Sequence, residues 1–192
     1  MKDKIKKILL ESIQVKEKLI QNYTEKILEI TEAIIDSLKK GGKVILFGNG
    51  GSAADSQHIA AELIGRFKKD RQALPAIALT TDTSILTSLA NDYGYETIFE
   101  KQIEGLAKKE DIVIAISTSG KAKNVIRAID KAKKMGIKTI SFTGKGGGEL
   151  TKITDISLVV PSNSTARIQE AHITVGHIIC EIIEDTFCND KK

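Results

Sequence analysis

The sequence predicts an α/β protein: a three-layer α/β/α sandwich with a five-stranded parallel sheet and helices at its N-terminus. Three observations indicate this fold. The first 40 residues have helical apolar spacing, short and continuously apolar runs follow, and helical segments alternate with those runs. Continuously apolar strands are typical of a parallel sheet that helices cover on both faces.

The N-terminal region, residues 1–40, has neither Gly nor Pro from residue 2 onward, and Gly41 and Gly42 end it. We interpret it as a pair of helices, broken near Asn22. Residues 41–188 then form one domain. Its predicted strands are Val44–Phe47, Ala76–Leu79, Ile112–Ile116, Thr139–Phe142 and Ile156–Val160, and its predicted helices cover about 53–67, 84–107, 122–135 and 165–186.

Composition excludes several classes of protein. A net charge of +4, with 4% aromatic residues and no Trp, does not describe a nucleic-acid binder. Charged residues interrupt the N-terminal segment, so it lacks the apolar core of a secretory signal peptide. No run approaches the roughly 20 apolar residues of a membrane span. Two cysteines in a chain of 192 residues do not form a disulfide framework. We therefore expect a soluble cytoplasmic protein without nucleic-acid or membrane partners.

Two loops follow predicted strands, which is where ligands bind in open α/β sheets. The first contains Asn49, Gly50, Gly51 and Ser52, and it is either a ligand-binding turn or a generic glycine-rich one. The second contains three consecutive hydroxyl residues before a helix. It is interpreted as a phosphate cradle, with a Ser/Thr capping turn as the alternative. Its residues are Ser117, Thr118 and Ser119, followed by Gly120.

A third segment, with Asn91, Asp92 and Gly94, interrupts the helical pattern and by itself reads as a plain turn. On the helix after the first loop, His58 and Glu62 are spaced i, i+4 and share one face, with Asp55 on the same flank. Such a pair is compatible with acid–base chemistry, with half of a metal site, or with an ordinary surface pair.

The last predicted helix separates its two histidines. His172 lies at the edge of the apolar stripe and is expected to be structural. His177 points away from that stripe, on the same broad side as Gln169 and Glu184. Geometry alone leaves His177 open between a site residue and an exposed bystander.

Together these motifs resemble the sugar isomerase (SIS) domain and, within it, the phosphoheptose isomerase family. The resemblance covers about residues 42–185. It rests on the following words: Gly48-Asn-Gly-Gly-Ser52, His58-x-x-x-Glu62, Gly65-Arg66, Asn91-Asp92-x-Gly94, Ile116-Ser-Thr-Ser-Gly120, Thr143-Gly144 and Arg167-Ile-Gln-Glu170 with His172 and His177.

The resemblance implies an aldose–ketose isomerase that converts sedoheptulose 7-phosphate to D-glycero-D-manno-heptose 7-phosphate through an enediol, for heptose glycan biosynthesis. It implies a homotetramer with sites at subunit interfaces, in which the N-terminal helical pair serves in oligomerisation. Ser117, Thr118 and Ser119 are implied to hold the phosphate, and Asn49, Gly50, Gly51, Ser52, Asn91 and Asp92 to contact the sugar. The implied zinc ligands are His58, Glu62, Gln169 and His177.

The catalytic hypothesis assigns Glu62 as the base at carbon and His177 as the proton shuttle at oxygen. Metal coordination would weaken Glu62 as a base, so the role of the ion stays open between Lewis acid and organiser. Two departures from the family pattern, Ala122 and Ala166, put fine substrate preference in doubt. The alternatives are a non-catalytic SIS protein that binds the replication initiator, and an isomerase of another sugar phosphate.

Overall fold

A computed structural model describes residues 1–189 of the chain. In chain order its elements are α1 (Lys2–Lys39), β1 (Val44–Gly48), α2 (Gly51–Ile64), β2 (Ala76–Ala78), α3 (Thr83–Tyr93), a 3₁₀ turn (Tyr95–Thr97), α4 (Ile98–Leu106), β3 (Ile112–Ser117), α5 (Lys123–Lys134), β4 (Lys138–Thr143), α6 (Leu150–Ile153), β5 (Ile156–Val159) and α7 (Thr165–Asn189). No helix within these residues is long and apolar enough to cross a membrane.

The five strands form one parallel sheet in the order β2-β1-β3-β4-β5, which confirms the predicted sheet. After β1 the chain adds β2 on one side, and it then crosses back to place β3 on the other. The carboxyl ends of β1 and β3 therefore border the topological switch point, which is the crevice where open α/β sheets bind ligands.

Alternate residues of the strands pack into two separate hydrophobic cores, one on each face of the sheet. Leu46 and Ile114 belong to the core formed with α1, α2 and α7. Phe47 and Ala115 belong to the core formed with α4 and α5. Burial of both faces explains the continuous apolar runs and confirms the three-layer arrangement.

The N-terminal region is one helix of 38 residues, so the predicted helical pair is wrong. Asn22 stays within α1, where its amide donates a hydrogen bond to the Lys18 carbonyl (3.2 Å). Asn costs an isolated helix only a fraction of a kcal/mol relative to Ala, and no Gly or Pro is present to end the helix. The core buries α1 from Val15 onward and leaves residues 1–10 exposed.

Two further differences concern short elements. The predicted helical segment 84–107 is divided at Gly94, whose φ of 87° suits glycine. Asn91 and Asp92, expected in a turn, occupy the last turn of α3 instead. The four-residue helix α6 was absent from the sequence prediction, because a single turn leaves no detectable periodicity.

Candidate active site

The loop after β1 is held by a hydrogen-bonded group of three side chains at the switch point. Asn49 and the buried Asn124 exchange amide hydrogen bonds of 3.0 and 2.9 Å. The Tyr95 hydroxyl also donates to Asn49 Oδ1 at 3.0 Å. Sequence reasoning missed Asn124 and Tyr95. A detectable signal existed, because Asn124 is a polar residue one turn before Ala128, on the apolar face of an amphipathic helix.

Glycines shape the same loop. Gly50 has a φ of 56°, which an L side chain rarely adopts. A Cβ atom on Gly51 would lie 2.4 Å from Gln169 Nε2, so the Gln169 amide of α7 packs directly against the backbone of this loop. Ser52 is 3% exposed and lies beneath the loop surface. The structure thus brings Gln169 to the predicted sugar-binding loop.

The hydroxyl-rich loop after β3 does not cap the following helix. The N-cap of α5 is Ala122, which provides no side-chain hydrogen bond. The three hydroxyl residues therefore are not consumed as a helix cap. The loop is instead fixed through its backbone, since Gly144 N–H donates to Thr118 O (3.2 Å) and Gly120 N–H to Ser117 O (3.1 Å).

A glycine-rich segment after β4 packs directly on this loop. A Cβ atom on Gly120 would lie 1.9 Å from the Gly147 carbonyl oxygen, so the two backbones touch. The amides of Glu149 and Leu150 both donate to the Gly120 carbonyl oxygen (3.1 and 3.0 Å). This packing holds the loop rigid and leaves Thr118 and Ser119 partly exposed at the sheet edge.

His58, Glu62 and His177 form the one group of three metal-binding side chains found in residues 1–189, with ligand atoms all within 4.8 Å of one another. His58 Nε2 lies 3.1 Å from Glu62 Oε1 and 3.3 Å from His177 Nε2. Two imidazole nitrogens and a carboxylate are a donor set that fits zinc. The structure thus places His177 beside the His58–Glu62 pair that the sequence put on one face of a helix.

The close crossing of α2 and α7 brings these side chains together. A Cβ atom on Gly176 would lie 2.7 Å from Ile59 Cδ1, so the helices approach more closely than any larger residue would allow. His58 and His177 are the chain neighbours of these two residues. The importance of Gly176 was missed, since a single glycine in a helical pattern carries no information about what packs on it.

Asp55 lies one turn before His58 on α2. Burial raises the pKa of this carboxyl group to about 6, against a smaller lowering by His58. Its Oδ2 atom is buried without a hydrogen-bond partner. Asn91 and Asp92, by contrast, are exposed and bond to each other (2.9 Å) at the end of α3, beside the Tyr95 that reaches Asn49.

His172 is fully buried, as predicted for a structural histidine. Its Nε2 lies 3.1 Å from the Thr143 carbonyl oxygen. Burial lowers the pKa of His172 to about 4, partly opposed by that hydrogen bond. Its Nδ1 has no partner, as expected of a neutral ring that carries its proton on Nε2 and donates it to Thr143.

The parallel sheet and the two loops at its edge define an α/β protein with a candidate ligand site at the switch point. Comparison with known families identifies the family. Residues 9–144 match the SIS domain family. A phosphoheptose isomerase of Aquifex aeolicus is 56% identical over 188 residues, which cover 98% of each chain. The phosphoheptose isomerase of Clostridium acetobutylicum is 52% identical, over 100% of this chain and 98% of that one.

A solved structure of phosphoheptose isomerase from Neisseria gonorrhoeae superimposes with a TM-score of 0.91 at 39% identity, covering 96% of this chain and 98% of that one. A second, from Francisella tularensis, gives a TM-score of 0.92 at 38% identity, with 95% and 97% covered. The chain therefore belongs to the SIS-domain family and, within it, to the phosphoheptose isomerases.

Proposed function

We propose that this protein interconverts sedoheptulose 7-phosphate and D-glycero-D-manno-heptose 7-phosphate, a step in heptose glycan biosynthesis. The observation that carries the proposal is the convergence of His58, Glu62 and His177 within 4.8 Å. An aldose–ketose isomerisation requires a base at carbon, an acid at oxygen and an anchored substrate, and this group supplies both proton carriers.

In the proposed mechanism, Glu62 removes the proton from the carbon next to the carbonyl group and returns it to the neighbouring carbon. His177 transfers protons between the two oxygens, so that a cis-enediol connects ketose and aldose. The phosphate lies against Ser117, Thr118 and Ser119, where hydroxyls and backbone amides bind an anion without a basic groove. Asn49, Gly50, Gly51, Ser52, Asn91, Asp92 and Gln169 orient the sugar.

We further propose that His58, Glu62 and His177 hold a zinc ion, with Gln169 as the fourth ligand. Zinc would polarise the substrate carbonyl group and stabilise negative charge on its oxygen. The three clustered donors support this assignment. The amide of Gln169 lies against Gly51, at the loop after β1.

A homotetramer is the proposed assembly. The exposed start of α1 carries an unpartnered apolar surface at Ile5, Leu9 and Ile13. An apolar groove of about 440 Å³ between α1 and α7 continues it, lined by Leu19, Ile20, Leu28, Ile178 and Ile182 among others. Apolar surface of this extent typically becomes buried by association. The free thiols of Cys180 and Cys188 support a cytoplasmic location.

The direct test incubates the purified, zinc-loaded protein with sedoheptulose 7-phosphate and follows D-glycero-D-manno-heptose 7-phosphate by NMR or coupled mass spectrometry. Formation of the heptose supports the proposal. Turnover of a hexose or pentose phosphate without heptose formation would assign the site to another sugar phosphate. Absence of turnover with all of these substrates, in protein that is folded and metal-loaded, would contradict an enzymatic role.

A further inference from the structure

Glu184 is a buried carboxylate on α7, two helical turns after His177, and its side chain is 1% exposed. It accepts hydrogen bonds from three consecutive backbone N–H groups, those of Phe67 (2.8 Å), Lys68 (2.7 Å) and Lys69 (2.7 Å). Burial acts to raise the pKa of Glu184, but these donors and Arg71 outweigh it and lower that pKa. An ionised carboxylate therefore binds the segment 65–72, which follows α2 and which we call the clasp segment.

Arg71, within the clasp segment, connects Glu184 to the helix that carries Glu62. Its Nε lies 3.3 Å from Glu184 Oε2, and its side chain is 2% exposed. Its two terminal nitrogens donate to the carbonyl oxygens of Glu62 and Leu63, each at 2.8 Å. These carbonyls belong to the last turn of α2, where backbone acceptors lack intrahelical partners. The ion pair thus fastens the end of α2 to α7.

Phe67 links the contacts of Glu184 to the candidate site, because it contacts both Glu184 and His177. The backbone N–H of Phe67 is one of the three donors to Glu184, and its ring centroid lies 5.5 Å from that of His177. We propose that Glu184 and Arg71 are positioning residues: they hold Phe67 against His177 and so fix the imidazole toward His58 and Glu62. This inference rests on the proposed role of His177.

The surface of the same helix offers a matched control. Lys68 of the clasp segment also pairs with Glu181, one turn before Glu184, at 2.6 Å. Both of those side chains are exposed, at 60% and 45%. An exposed pair is screened by water and contributes little. Glu181→Gln therefore removes a carboxylate that lies on the same helix as Glu184 and pairs with the same clasp segment, and it leaves the buried contacts of Glu184 and Arg71 in place.

The experiment compares Glu184→Gln, Phe67→Leu and Glu181→Gln in the full chain. It measures kcat and KM with sedoheptulose 7-phosphate, and the visible absorption spectrum of Co²⁺ bound in place of zinc. Because a small misplacement of a catalytic group can cost up to about 10²-fold, we expect Glu184→Gln and Phe67→Leu to lower kcat by roughly tenfold or more. KM should change less than about twofold, and the Co²⁺ spectrum should shift. Glu181→Gln should leave all three unchanged.

The proposal is overturned if Glu184→Gln unfolds at lower urea concentration yet keeps the wild-type kcat and Co²⁺ spectrum. If Glu184→Gln does not fold, Phe67→Leu tests the proposal instead, since it keeps the backbone hydrogen bonds between the clasp segment and Glu184. An unchanged kcat and spectrum in that variant also overturns the proposal. Failure of the wild type to bind Co²⁺ would contradict the zinc site instead, and the kcat comparison alone would then judge the clasp.

Discussion

Two histidines five residues apart on α7 occupy opposite environments. His172 faces the sheet, is fully buried and bonds to the Thr143 carbonyl oxygen. His177 faces α2, remains partly exposed and lies 3.3 Å from His58. Five residues turn a helix by well over a quarter circle, which moves a side chain from the core to the facing helix. The comparison shows that one residue type serves as a packed core group or as a candidate proton carrier according to its surroundings.

The largest effect is expected for substitutions where α7 faces α2. Glu62→Gln and His177→Gln should each lower kcat by about 10²–10⁴-fold, because each removes a positioned acid or base. Steady-state assays with sedoheptulose 7-phosphate measure this, and circular dichroism checks that the fold survives. His172→Gln should by comparison keep most of its kcat per folded molecule. Near-normal turnover of either site variant would contradict the mechanism.

On the face of α7 that packs against the sheet, the buried His172 should make the stability depend on pH. Folded His172 stays neutral down to pH about 4, whereas its unfolded pKa is near 6.5. The unfolded chain therefore binds the extra proton between these values. The contribution of neutral His172 to stability is therefore complete above pH 6.5 and is lost as the pH falls toward 4. The total loss is about 3 kcal/mol.

Urea unfolding of the wild type and His172→Gln between pH 7 and pH 4 measures this contribution. The free energy of unfolding of the variant should fall less steeply with decreasing pH. The difference in slope should correspond to at most one proton fewer taken up on unfolding. Parallel curves for the wild type and His172→Gln would contradict the assignment of His172 as a neutral, buried ring.

A smaller effect concerns the distance between the two helices that bear the site. Gly176→Ala should destabilise the fold by about 1–3 kcal/mol, because the new methyl group overlaps Ile59. It should also weaken zinc binding, because α2 and α7 must separate between His58 and His177. Chelator competition measures the zinc affinity, and urea unfolding measures the stability.

Gly105→Ala provides the matched helical control for Gly176→Ala. A Cβ atom on Gly105 meets nothing within 4 Å. This substitution should stabilise α4 by about 0.5–1 kcal/mol, as replacing a helical glycine usually does, and should leave zinc affinity unchanged. Equal zinc affinities in the two variants would show that the α2–α7 crossing does not control the cluster.

The sequence predicted the sheet well because each strand satisfies a local rule. The strand Ile112–Ser117 is buried on both faces and is apolar from Ile112 to Ile116, a pattern that is visible without a structure. The predicted break in α1 was wrong for a related reason. Asn22 is a weak helix former, but contacts between α1 and the core from Val15 onward outweigh local propensity.

The candidate site was only partly predictable. The i, i+4 spacing of His58 and Glu62 is local, so the sequence placed them on one face. The contact of His58 with His177 joins residues 119 positions apart and depends on Gly176 packing against Ile59. The mutual hydrogen bonds of Asn49 and Asn124 likewise join the loop after β1 to the first turn of α5, and these two elements meet through the order of the strands.

By itself, the sequence determined the three-layer class, the positions of the two candidate ligand-binding loops after β1 and β3, and which face of α7 each histidine occupies. These features follow from periodicity and spacing, which act over a few residues. Only the tertiary structure decided that His58, Glu62 and His177 converge, that Gln169 covers Gly51, and that Glu184 binds the clasp segment. Those contacts join residues far apart in the chain, and the packing of α2 against α7 sets their distances.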